Sequence, residues 1–226
     1  DLLLNSSAPD SFWRAFFEQG LLIFQNCFSK EIVASVCKSI FTFLKTKKKK
    51  LNQKICDLLS QEPELLGEHH IVFAIQDIDS YLAARIIDFI RLEFLRLKIS
   101  FTFETVMSHI SKVEFLRMAQ EQGFKTYLYY VSTIDPEINI ARVQYRVSTG
   151  GHAVPEPKIR DRYYRSMNLL MQAIEASDRA FIFDNSSNGE KAAFLAEIEQ
   201  ADRLKINPIV TVFPVWFAER VLSEFE

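Results

Sequence analysis

The side chains best suited to chemistry fall between Ser100 and Ser186 of the 226-residue sequence. Five arginines, Arg142, Arg146, Arg160, Arg162 and Arg165, flank the segment Thr149-Gly150-Gly151-His152-Ala153-Val154-Pro155. Guanidinium groups present forks of N–H donors that match phosphate oxygens, and a diglycine gives the backbone between them a hinge. Arg142 and Arg146, four apart, share one helix face, and Arg162 and Arg165 share another beyond the hinge. Two such faces could close over a triphosphate, exclude water and neutralise charge on a transferred phosphoryl group. The same residues could instead form an exposed basic hairpin paired with Glu156, Asp161 and other acids. His152 suits a turn or a cap better than a catalytic base.

Other candidates stand just past apolar runs, where open α/β sheets place their ligands. Glu104-Thr105 follows Phe101-Thr102-Phe103. The carboxylate could accept a hydrogen bond from a substrate hydroxyl or hold a metal-bound water, and the threonine could contact a ligand or cap a helix. Ordinary strand-end polarity is the rival reading. Asp184-Asn185-Ser186 follows Ala180-Phe181-Ile182-Phe183 and could receive a purine or ribose, or form an Asx turn. Asp77 and Asp79 could bind Mg²⁺ or act as a base, but capping the helix that follows suits them better. The run Lys45 to Lys50, with Thr46 inside it, is either a patch for an anionic partner or, more commonly, a solvated helix end. No metal ligand set is assigned.

These residues need an alternating scaffold. Short runs rich in aromatic and β-branched residues predict strands at Ile71–Ile75, Phe101–Phe103, Thr126–Val131 and Ala180–Phe183, covered on both faces. Apolar stripes predict helices from Tyr81 to Leu97, Ser111 to Gln122 with Gly123 as C-cap, Pro136 to Val147, and Pro157 to Ser177. Asn188-Gly189, a short amphipathic segment and a tail through Pro214-Val215-Trp216-Phe217 complete the chain. Strands alternating with helices predict an α/β fold with a mainly parallel sheet. Residues 1–70 are expected to be a mainly helical N-terminal region, and 71–226 the core.

Composition narrows the function classes. Hydrophobic content of 48% supports a sizeable core, and a net charge of −2 gives no reason to expect a nucleic-acid binder or membrane-surface protein. No apolar run approaches the ~20 residues that span a bilayer. Cys27, Cys37 and Cys56 fit no zinc spacing, and their odd number without a signal peptide predicts reduced, buried thiols in a cytoplasmic protein.

Several blocks, in order, resemble the zeta-toxin group of P-loop kinases, most closely the branch described as zeta-toxin-like or predicted ATPase. They are Ser80-Tyr81-Leu82-Ala83-Ala84, Ser100-Phe101-Thr102-Phe103-Glu104-Thr105-Val106-Met107-Ser108-His109, and Asp135-Pro136-Glu137-Ile138-Asn139-Ile140-Ala141-Arg142-Val143. Gly150-Gly151-His152-Ala153-Val154-Pro155, Arg160-Asp161-Arg162-Tyr163-Tyr164-Arg165-Ser166 and Phe183-Asp184-Asn185-Ser186 complete the match, over roughly residues 80–226. The resemblance implies a three-layer P-loop kinase core with an arginine-rich lid, using ATP and Mg²⁺ for phosphoryl transfer. It implies a small-molecule acceptor, a nucleotide sugar such as UDP-N-acetylglucosamine in the best-known members, and a small helical antitoxin as partner. Glu104 and Thr105 would face the acceptor, with Glu104, Arg146 and Arg162 catalytic. Arg142, Arg146, His152, Arg160, Arg162 and Arg165 would belong to the lid over ATP, and Asp184 and Asn185 would lie near the adenine.

One departure bears on activity. None of the six glycines stands in a Gly-x-x-x-x-Gly-Lys-Ser/Thr turn, whose N–H groups and lysine cradle ATP phosphates. The expectation is that this P-loop lies upstream of Asp1 and that residues 1–226 carry the substrate-and-lid portion. Two rivals remain: a degenerate kinase fold kept as a binding module, with Lys45–Lys50 and the Phe-rich first 60 residues as its surface, and a kinase with the same lid but another acceptor.

Overall fold

A computed structural model describes residues 64–66, 70–72, 80–189 and 191–225. Lys45–Lys50, Asp77, Asp79, the three cysteines and the helices expected in the first 60 residues lie outside this set. The chain divides into two compact units, with the boundary between Phe103 and Glu104.

In the first unit, β1 (Glu64–Leu66) pairs antiparallel with β2 (His70–Val72), Leu65 lying opposite Ile71. Of the strand expected at Ile71–Ile75, Ile71 and Val72 are described, in β2. Helix α1 (Ser80–Arg96) buries Ile87, Ile90, Phe94 and Leu95, a set that shares only Ile90 with the stripe Leu82, Ile86, Phe89 and Ile90 read from the sequence. Arg91 is buried on the same helix, ion-paired to Asp88 at 3.1 Å and 4.2 Å above the Phe103 ring. Burial lowers its pKa, against the opposing pull of Asp88. Phe101–Phe103 is not a strand. Its rings make an aromatic cluster instead, Phe94 to Phe101 at 5.2 Å and Phe101 to Phe103 at 6.1 Å. Three residues offer little ladder energy, and ring packing decides their course.

The second unit opens with α2 (Ser111–Glu121), ended as expected by Gly123, whose φ of +84° suits glycine best. Strand β3 (Tyr127–Ser132), helix α3 (Pro136–Ser148), helix α4 (Glu156–Glu175) and strand β4 (Arg179–Asp184) follow. Strands β5 (Ala193–Glu199) and β6 (Arg203–Ile206) and helix α5 (Val215–Arg220) complete it. The sheet order is β3-β4-β5-β6. Among the described strands only β3 and β4 run parallel; β5 and β6 each return antiparallel, so this sheet is mixed rather than mainly parallel. The β5–β6 turn places Gln200 and Ala201 at φ of +51° and +53°, the geometry that fits the twist of a tight hairpin. Asn-Gly is its usual signature, which is why the hairpin read as an amphipathic segment.

One sheet face carries the core. Leu128, Tyr130, Ala180, Ile182, Ala196 and Ile198 are buried there with Val113 of α2, Leu170 of α4 and Phe217 of α5. Residues of β3 alternate, and Tyr127, Tyr129 and Val131 on its other face are 51, 62 and 54% exposed. The strand is therefore half-covered, not buried on both faces as its continuous apolar run suggested. Two stacked rings, Tyr129 and Phe181 with centroids 4.9 Å apart, shield part of that open face.

Candidate site at the strand tips

Parallel pairing brings the carboxyl ends of β3 and β4 together, Ser132 opposite Asp184, and the Asn185 N–H extends the ladder to the Ser132 carbonyl at 2.7 Å. Beyond the strands the two loops are tied by side chains. The Ser186 hydroxyl accepts from the Ile134 N–H at 2.9 Å, and Arg142 donates to the Ser187 carbonyl at 3.2 Å. Thr133, buried, donates its hydroxyl to the Asp135 carbonyl at 3.1 Å and accepts from Asn139 at 3.0 Å. Its carbonyl accepts from the Tyr163 hydroxyl at 2.8 Å. Asp135 caps α3, accepting from the Glu137 N–H at 2.8 Å, with Pro136 in the first turn where its missing N–H costs nothing.

Asp184 is engaged at both oxygens. Oδ1 accepts from the Ser186 N–H at 2.9 Å, closing an Asx turn, and Oδ2 accepts from the indole N–H of buried Trp216 at 2.8 Å. Tyr163 lies close enough to Asp135 and Asp184 to feel their charge. Burial first, then Tyr130 and these acids, push its pKa up to about 12, so the hydroxyl stays a donor across the physiological range.

The arginines take separate partners. Arg142 reaches the β4 tip, as described. Arg146 folds back on the hinge and donates to the His152 carbonyl at 3.0 Å. Gly151 makes room for that fold: a Cβ there would stand 2.5 Å from Arg146 Cγ and 2.9 Å from its carbonyl oxygen. Gly150, at φ +93°, turns the chain. Arg160 pairs with Glu137 of the first turn of α3, and Arg165 with Asp161 one turn back on its own helix. Arg162, half-buried, has no hydrogen bond or ion pair among the described residues. Acidic pairing thus holds part of the hairpin, together with Gln144, which donates to Glu156 at 2.9 Å.

Glu104 is half-buried at the start of the second unit and has no hydrogen bond or ion pair among the described residues. The Thr105 hydroxyl accepts from the Met107 N–H at 3.3 Å, in a turn that holds Met107 at φ +54° with its side chain in the core. Among the described residues no group of three or more His, Cys, Asp or Glu could hold a metal ion, and Asp184 has its oxygens committed. No described helix is long and apolar enough to cross a membrane.

No protein-family model matches the chain. It is similar to an uncharacterized protein of Haemophilus influenzae, 37% identical over 65 residues, which is 29% of this chain and 46% of that protein. The chain therefore spans about half the length of the curated relative it matches. No solved structure matches.

Thr133, Asn139, Tyr163 and Trp216 were absent from the sequence candidates. Thr133 had a local signal, a polar residue directly after an apolar strand. Trp216 had none, because its partner Asp184 lies 32 positions away and only the sheet brings them together.

Proposed function

We propose that residues 104–226 are the acceptor-and-lid part of an ATP-dependent phosphotransferase of the zeta-toxin type. One observation supports this reading above the others. The β3–β4 crossover carries both arginine-bearing helices, and each is fastened to the strand tips, α3 through Arg142 and Ser187 and α4 through Tyr163 and Thr133. In this reading Arg162 and Arg142 meet the phosphates, Arg146 moves with the hinge, and Glu104 with Thr105 receives the acceptor hydroxyl. ATP supplies the phosphoryl group with Mg²⁺, and the acceptor is a nucleotide sugar such as UDP-N-acetylglucosamine. An antitoxin would be the protein partner. Residues 1–226 contain no Gly-x-x-x-x-Gly-Lys-Ser/Thr turn, so this segment supplies charge neutralisation and positioning, not the main grip on ATP.

Calorimetric binding of inorganic tripolyphosphate to the chain tests the reading. Weak, salt-sensitive binding is expected, reduced about tenfold or more in Arg162→Ala, as for a charge-assisted contact removed. Equal binding by wild type and variant would remove the arginines from the site. Transfer of label from γ-labelled ATP to UDP-N-acetylglucosamine then reports on the acceptor.

The exposed face of β3 favours a second reading, a kinase fold kept as a binding module. It predicts that tripolyphosphate binding is absent or indifferent to Arg162.

A further inference from the structure

We infer that Tyr163 is a positioning residue, one that seats the arginine-bearing start of α4 against the strand tips so that Arg162 meets a bound polyanion in register. The inference rests on the phosphate reading above. The Tyr163 hydroxyl donates at 2.8 Å to the Thr133 carbonyl, the first peptide beyond β3. That peptide is a firm base, because Thr133 is 3% exposed and its hydroxyl is already held by the Asp135 carbonyl and Asn139. Arg160 gives α4 a second tie, to Glu137 in the first turn of α3. Arg162 lies in the turn these two ties hold, so its position is set by bonds that it does not make itself.

The ring adds stiffness. It meets the Tyr164 ring edge-on, with centroids 5.3 Å apart and planes at 87°. Removing the hydroxyl would leave the Thr133 carbonyl with only a long 3.4 Å bond from Ser132. A matched control lies nearby. Tyr130 also joins β3 to α4, through Ser166 at 3.1 Å, but from within the core.

Full-length Tyr163→Phe and Tyr130→Phe are compared with wild type in thermal unfolding and in calorimetric binding of inorganic tripolyphosphate. Both variants are expected to lower the Tm. Only Tyr163→Phe should weaken binding, by about fivefold, the size expected when one hydrogen bond stops orienting a ligand-binding group. Unchanged affinity in Tyr163→Phe, or an equal loss in both variants, overturns the positioning role while leaving the phosphate reading standing. Failure of the wild type to bind overturns both.

Discussion

Asp178 joins the start of β3 to the end of α4, and replacing it with alanine is expected to destabilise the second unit by about 2–4 kcal/mol. The carboxylate is 19% exposed and accepts from the Thr126 N–H at 2.8 Å, the Thr126 hydroxyl at 3.2 Å and Lys125 at 2.8 Å. Thr126 is 6% exposed, so its N–H would be left in the interior without that acceptor, a cost of about 1–3 kcal/mol. The hydroxyl retains the Ala176 carbonyl at 3.3 Å and loses less, roughly 1 kcal/mol. Lys125 is fully exposed and contributes least. For a unit of this size the sum corresponds to a fall in Tm of about 8–15 °C. Burial alone would raise the Asp178 pKa, but Lys125 and the Thr126 donors outweigh it and hold it below the usual carboxylate range. A carboxylate so depressed stabilises the fold above its unfolded value near 4, and that contribution is lost as pH falls through the lower folded value. Wild type should therefore lose stability in this acid window more steeply than Asp178→Ala. Thermal unfolding monitored by circular dichroism across the acid range measures both effects. A Tm within 1 °C of wild type, or parallel acid profiles, would refute the reasoning.

Gly151→Ala should displace Arg146 from the His152 carbonyl, because the backbone oxygen 2.9 Å from the new Cβ cannot move aside as a side chain can. Faster amide exchange across residues 149–155, with little change in Tm, is the expected readout. Trp216→Phe removes the indole donor from Asp184 and is expected to cost about 1.5–3 kcal/mol in urea unfolding, as for a hydrogen bond to a charged group. Tyr163 ionises at about 12 in the fold and near 10 when unfolded, so its contribution is complete below pH 10 and is lost as pH rises from 10 to 12. Tyr163→Phe should flatten the alkaline fall in Tm over that interval. Gln200→Asn should stabilise the β5–β6 hairpin by about 0.5 kcal/mol, since asparagine tolerates a positive φ better.

Local signals were enough for α1 to α4, whereas the short α5 read only as part of a tail. Pro136 announced the start of α3 and Gly123 the end of α2, while the helix expected from Pro157 begins one residue earlier, at Glu156. Strands β3 and β4 were legible for the same reason, as concentrated aromatic and β-branched runs. The sheet's direction was not. Nothing in Ala193–Glu199 distinguishes a strand from an amphipathic turn of helix, and the hairpin that reverses it uses Gln200-Ala201 rather than glycine. Partnership among the arginines was similarly hidden. Spacing placed Arg142 and Arg146 on one helix face, but their partners, the Ser187 and His152 carbonyls, are backbone atoms that no side-chain pattern advertises.

The unequal connections within the sheet bear on how the unit assembles. Tight links join β4, β5 and β6, so this meander can close early at small entropic cost, whereas β3 must wait for residues 133–178 to be gathered in. Contact order therefore predicts that the parallel ladder zips last, with the cluster around Thr133 and Asp184 completed in that late step.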